Sequence, residues 1–85
     1  MDSALTFPCD LPIKIFGRNA RAFRDTALAI VRTHCPDVSE EAVVERVSRE
    51  GAYVSLTITV RVDSRAQADA VYRALSAHDE ILMVL

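Results

Sequence analysis

The chain is short of the residues on which most site chemistry depends. In 85 residues it has no Trp, 2 Cys, 2 His, 2 Gly and 3 Pro. None of the patterns G-x-S-x-G, H-E-x-x-H, P-loop or G-x-G-x-x-G occurs. The two histidines, His34 and His78, fall at opposite ends of the expected fold, so no base stands beside a nucleophile. No catalytic residue is assigned, no cofactor is implied, and an enzyme is not expected. The scarcity of Gly and Pro, with 51% hydrophobic and 26% charged residues, argues against disorder. The longest apolar runs, Ala27–Val31 and Ile81–Leu85, fall far short of the ~18 residues of a membrane-spanning helix. Met1–Thr6 contains an acid and no basic segment leading into an apolar stretch, unlike a secretory signal. Cys9 and Cys35 make neither a disulfide framework nor a C-x-x-C pair, which fits a reducing, cytoplasmic compartment. The net charge of −2 argues against nucleic acid as the main partner.

What the chain does have is period. A chain of this size buries about 60–65% of its unfolded surface, so nearly every regular apolar position is needed in the core. In Leu11–Gly17, Ile13 and Ile15 alternate with Lys14 and Phe16, as in a strand with one buried face. Gly17 closes that strand and Asn19 is expected to cap a helix. The helix carries Phe23, Ala27, Ile30, Val31 and His34 on one stripe and stops before Pro36. Val43–Arg49 reads as a weaker strand. Gly51 supplies a turn. Tyr53–Val62 then alternates strictly, with Val54, Leu56, Ile58, Val60 and Val62 on one face and Tyr53, Ser55, Thr57, Thr59 and Arg61 on the other. Ser64–Gln67 is a capping box for a second helix, with Ala68, Val71, Tyr72 and Leu75 on its apolar stripe. Ile81–Leu85 is the last strand.

Strand–helix–strand–strand–helix–strand is the order of a ferredoxin-like α+β sandwich. The expectation is one domain over residues 1–85, with residues 1–6 a loose tail. Its antiparallel sheet should run 4-1-3-2 with both helices on one face. The final strand is then an edge, apolar on both parities and free of charge, which invites association. Leu82 and Val84 are expected to lie on the open sheet face beside Phe16. There they either patch that face or form a homodimer interface.

The stretches FPCDLPIKIFG and SREGAYVSLTITVRVDSRAQ, and above all the ending ILMVL, resemble the YbeD-like family of small bacterial proteins. The resemblance runs from Phe7 to Leu85. It implies a ferredoxin-like fold similar to ACT domains, which are small-molecule-sensing regulatory modules. It supplies no catalytic residue.

The topology gathers Gly17, Arg18, Asn19 and Arg21 at one end, with the Arg49–Gly51 hairpin and the His78–Asp79 turn. A helix N-terminus with two arginines is a candidate site for a small anionic metabolite. The plainer account is that Gly17 eases a turn, Asn19 caps and the arginines are solvated. The chain reads FGRNA where many ACT domains show an Asp-x-Pro-Gly-like pattern. The other end gathers Cys9, His34, Cys35, Ser64 and the end of the last strand. Three donors fall short of a tetrahedral metal site, so no metal is expected. Phe16 and Tyr53 stand where RNA-binding domains of this topology stack bases, although few cations are expected on the sheet face. The best reading is a cytoplasmic regulatory or adaptor module that senses a small anionic metabolite or docks on an enzyme. The alternatives are a protein-interaction module without a small ligand and, behind it, an RNA binder.

Overall fold

The computed structural model describes residues 6–85. Of the tail expected over residues 1–6, only Thr6 is among them. Six regular elements follow in the expected order: β1 (Cys9–Arg18), α1 (Arg21–His34), β2 (Val43–Val47), β3 (Tyr53–Val62), α2 (Arg65–Ser76) and β4 (Met83–Val84). A 3-10 turn, Glu40–Ala42, leads into β2. The sheet runs β2-β3-β1-β4 and every neighbouring pair is antiparallel. This is the ferredoxin-like order read from the sequence.

The alternating residues do what their period requires. Ile13 and Ile15 of β1 and Val54, Leu56, Ile58, Val60 and Val62 of β3 are buried on one face. Phe23, Ala27 and Val31 of α1 and Ala68, Val71 and Leu75 of α2 complete the same core. No helix among the described residues is long and apolar enough to cross a membrane.

Gly17 does more than end a strand. β1 continues through it to Arg18, and Gly17 pairs with Val54. A Cβ on Gly17 would lie 2.2 Å from Cδ1 of Phe23, so the buried ring rests on bare backbone. That contact brings α1 down onto β1 at once, leaving two residues for the turn. Asn19 does not cap the helix. The N-cap is Ala20, without a side-chain bond, and Asn19 instead donates from Nδ2 to Gly51 O at 2.8 Å. Its own N–H donates to Ala52 O at 3.0 Å, fastening the β2–β3 hairpin to the β1–α1 turn. Gly51 sits at φ +82°, the left-handed region in which it is strain-free.

The capping box at α2 forms. Ser64 Oγ accepts from Gln67 N–H, and Gln67 Oε1 accepts from Asp63 N–H at 2.7 Å. Gln67 Nε2 also donates to His34 O at 2.9 Å, so one amide closes the start of α2 and the end of α1 together. The acid-rich segment after α1 folds back on the helix, pairing Arg24 with Glu45 and Arg32 with Glu40.

The last strand departs from expectation in length and register. Leu85 exchanges both backbone bonds with Lys14, at 2.8 and 3.1 Å. The segment therefore covers only the upper half of β1, and the end of the last strand lies mid-sheet rather than beside Cys9 and His34. Pro12 gives the physical reason. Lys14 turns its N–H toward β4, so Pro12, two residues earlier, would have to offer an N–H there and has none. Val84 stands opposite Ile15 and Met83 opposite Phe16. Val84 therefore packs on the core face. Met83 is the residue paired with Phe16, and Leu82, outside β4, donates its N–H to Phe16 O at 2.8 Å.

Two outcomes test this packing. Gly17→Ala should cost about 1–3 kcal/mol through overpacking, read as a lower urea midpoint, and Gly17→Ala/Phe23→Leu should recover part of the loss. The second concerns pH. Burial raises the Cys35 thiol from its ordinary value of 9.0, opposed by the Gln67 hydrogen bond and assisted by Asp63. Burial likewise raises the Tyr72 hydroxyl from 10.0. Both groups hold their protons longer folded than unfolded. Stability should therefore be intact below about pH 9 and fall as the pH rises further. Cys35→Ala should flatten the first part of that decline in pH-dependent urea melts.

Candidate docking site on the open sheet face

The face of the sheet away from the helices is built from alternate residues of all four strands. β1 gives Lys14, Phe16 and Arg18; β3 gives Tyr53, Ser55, Thr57 and Arg61; β2 gives Val44 and Arg46; β4 gives Met83, with Leu85 continuing its parity. Val44, Met83 and Leu85 are 58%, 51% and 62% exposed, and Tyr53 is 48% exposed. A shallow trough of about 320–470 Å³ is the scale of each depression near the upper end of the sheet, and the one on this face, at 470 Å³, is lined by Phe16, Arg46, Val47, Ser48, Tyr53 and Ser55.

Local structure holds the trough. Ser48 N–H donates to Tyr53 O at 2.8 Å, and Ser48 Oγ accepts from Tyr53 N–H at 3.1 Å, which closes the hairpin beneath the Tyr53 ring. Arg18 lies opposite Tyr53, its guanidinium carbon 5.9 Å from the ring centroid, within cation–π range.

The charge of this face is one-sided. Lys14, Arg18, Arg46 and Arg61 stand on it, against the single strand acid Asp10, which pairs with Arg61 at 3.3 Å. The expectation of few cations here is therefore corrected. Four of the chain's 10 Lys and Arg lie on this face, although the whole sequence carries −2.

The four residues expected to form an anion site do not converge. Arg18 belongs to the open face, Gly17 is covered by Phe23, and Asn19 is committed to Gly51. Only Asn19 and Arg21 border the groove of 320 Å³ beside the start of α1. That groove is charge-balanced: Arg21 and Arg24 face Asp25 and Glu45, and Glu45 already holds Arg24. Its floor is Val54 and Leu56.

At the lower end Cys9 is half-buried and Cys35 buried, both as free thiols. Cys35 accepts from Gln67 Nε2 at 3.6 Å. Among the described residues no three His, Cys, Asp or Glu side chains are arranged to hold a metal ion, and no polar or charged side chain is buried. Sequence reasoning missed Arg46, Met83 and Leu85 as members of a surface. Arg18, by contrast, has the parity of Lys14 and Phe16, a signal that was present in the strand.

A family model described as "Protein of unknown function (DUF493)" matches residues 2–85. The UPF0250 protein NE1487 of Nitrosomonas europaea is 43% identical over 84 residues, covering 99% of this chain and 97% of that protein. A UPF0250 protein of Paraburkholderia phytofirmans is 43% identical over 84 residues, covering 99% and 94%. The solution structure of protein HP0495 from H. pylori matches with TM-score 0.75 over 99% of this chain and 88% of that one. At 11% identity that likeness speaks for the fold alone. The chain belongs to the DUF493 family of proteins of unknown function, the YbeD-like family that its hairpin and its ending resemble.

Proposed function

We propose that this protein is a non-catalytic docking module whose open sheet face binds an acidic surface of a partner protein, in a regulatory or adaptor role. One observation carries the reading. Exposed Tyr53 and Met83 flank half-buried Phe16 on the same stretch of sheet as the exposed cations Lys14, Arg18 and Arg46, while Arg61 is held by Asp10 at the far end of the face. Exposed apolar anchors with exposed cations beside them fit a partner offering apolar side chains among carboxylates.

The same charges argue against two copies meeting face to face, because like charges would be pressed together. A small anionic metabolite at the start of α1 finds less support. Of the two arginines at that groove Arg24 is already neutralised by Glu45, Asp25 and Glu45 balance the groove's charge, and Arg18 is on the other side of the sheet. RNA is disfavoured by the exposed aliphatic Val44, Met83 and Leu85, which offer no ring on which a base stacks.

The test is capture from a clarified bacterial extract with the full chain and with Arg18→Glu/Arg46→Glu and Met83→Asp, after checking that both variants melt like the parent. An acidic protein held by the parent should bind each variant roughly tenfold or more weakly, and its capture should fade as salt is raised. A partner indifferent to all three substitutions would defeat the proposal. So would retention of single-stranded RNA at the affinity of the protein partner.

A further inference from the structure

The trough on the open face owes its depth to one small side chain. Arg46, Ser55, Phe16 and Met83 stand in one row across the four strands, because Ser55 pairs with both Arg46 and Phe16, and Phe16 with Met83. Tyr53, two residues before Ser55, lies on the same face of β3. Ser55 is thus the short member of a group that otherwise holds two rings and a guanidinium. Same-face neighbours on a sheet are only about 5–7 Å apart, so the three long side chains wall the space above Ser55. That space is the depression of 470 Å³.

Its chemistry differs from that of the groove beside α1. No acid is among the residues that line it. Arg46 is exposed and belongs to no ion pair among the described residues. Arg18 adds a second cation at the rim, settled against the Tyr53 ring. The bonds between Ser48 and Tyr53 hold one wall in place. Two positioned rings beside a guanidinium without an acid of its own suit a flat apolar group carrying a carboxylate. Rings pack on rings edge-to-face or offset, and a guanidinium takes a carboxylate in a fork. Metabolite sites bury most of their ligand. A shallow trough does not, and it suits a side chain presented by a larger surface.

We propose that the trough is the seat of one aromatic side chain of the partner, resting on Ser55 between Phe16 and Tyr53, with a neighbouring carboxylate on Arg46. The proposal rests on the docking reading and names the group by which the acidic partner is anchored. Ser55 is its specificity-determining residue, because any larger side chain there fills the seat.

The probe is the blocked dipeptide acetyl-Trp-Glu-amide, titrated into the full chain and followed through the backbone amide signals. It should give saturable, millimolar shifts at Arg46, Tyr53 and Ser55. Acetyl-Trp-Gln-amide and acetyl-Ala-Glu-amide should each bind roughly threefold or more weakly. Ser55→Leu should abolish the shifts, whereas Thr59→Leu, further along β3 and outside the trough, should bind as the parent does. Should Ser55→Leu fail to fold, the ranking of the three peptides on the parent decides alone. Absence of saturable shifts overturns the proposal, as does equal binding of the three peptides or full binding by folded Ser55→Leu. Tighter binding of uridine monophosphate at the same amides overturns it too. An acidic protein lost on Arg18→Glu/Arg46→Glu yet held unchanged by Ser55→Leu removes the seat and leaves the docking face standing. The expected peptide ranking with no acidic protein captured upholds the seat and defeats the docking reading.

Discussion

Phe23 rests on the bare backbone of Gly17, and much of the upper end of the molecule follows from that approach. A ring pinned there holds the first turn of α1 against β1, so only Asn19 and Ala20 separate strand from helix. With so short a turn the backbone places Asn19 outside the helix start, where its amide reaches Gly51 O instead of capping. The hairpin is thereby tied to β1 at a point beyond the end of the β1–β3 ladder. Tyr53, the first residue of β3, inherits its position from that tie and meets Arg18 across the sheet. A side-chain contact on the core face thus arranges an aromatic–cation pair on the opposite face. The rigidity of the trough lies in backbone bonds rather than in the trough's own side chains.

The elements that were legible in the sequence are those whose signal is local. β3 alternates for ten residues without a fault, and its buried set is the one its period specifies. The capping box at Ser64–Gln67 forms because its partners are three residues apart and need no tertiary context. What failed was a matter of register or of turn geometry. In ILMVL both parities are apolar, so period two cannot tell Val84 from Met83. The choice is made by where Leu85 meets β1, and that depends on the missing N–H of Pro12. Asn19 has the right chemistry for a cap, but Gly51, thirty-two residues away, offers it a better-placed acceptor. Arg18 and Arg21 are neighbours in sequence and stand on opposite sides of a sheet, which the parity of β1 already implied.

Net charge misleads here for a related reason. At −2 the chain looks indifferent to acidic partners. Folding then sorts the charges. Arg24 and Arg32 are spent on Glu45 and Glu40, acids brought back by the segment that follows α1. Most of the remaining acids lie in turns and on helix surfaces. Arg61 is paired with Asp10 at one end of the open face, and Lys14, Arg18 and Arg46 are left on the rest of it because β-strand alternation sends even-numbered residues of β1 and β2 to the face that β3 fills with its odd-numbered ones. A partner meets a face, not an average, and fields over a patch fall off within about 8 Å at physiological salt. The relevant quantity is therefore the charge within one patch.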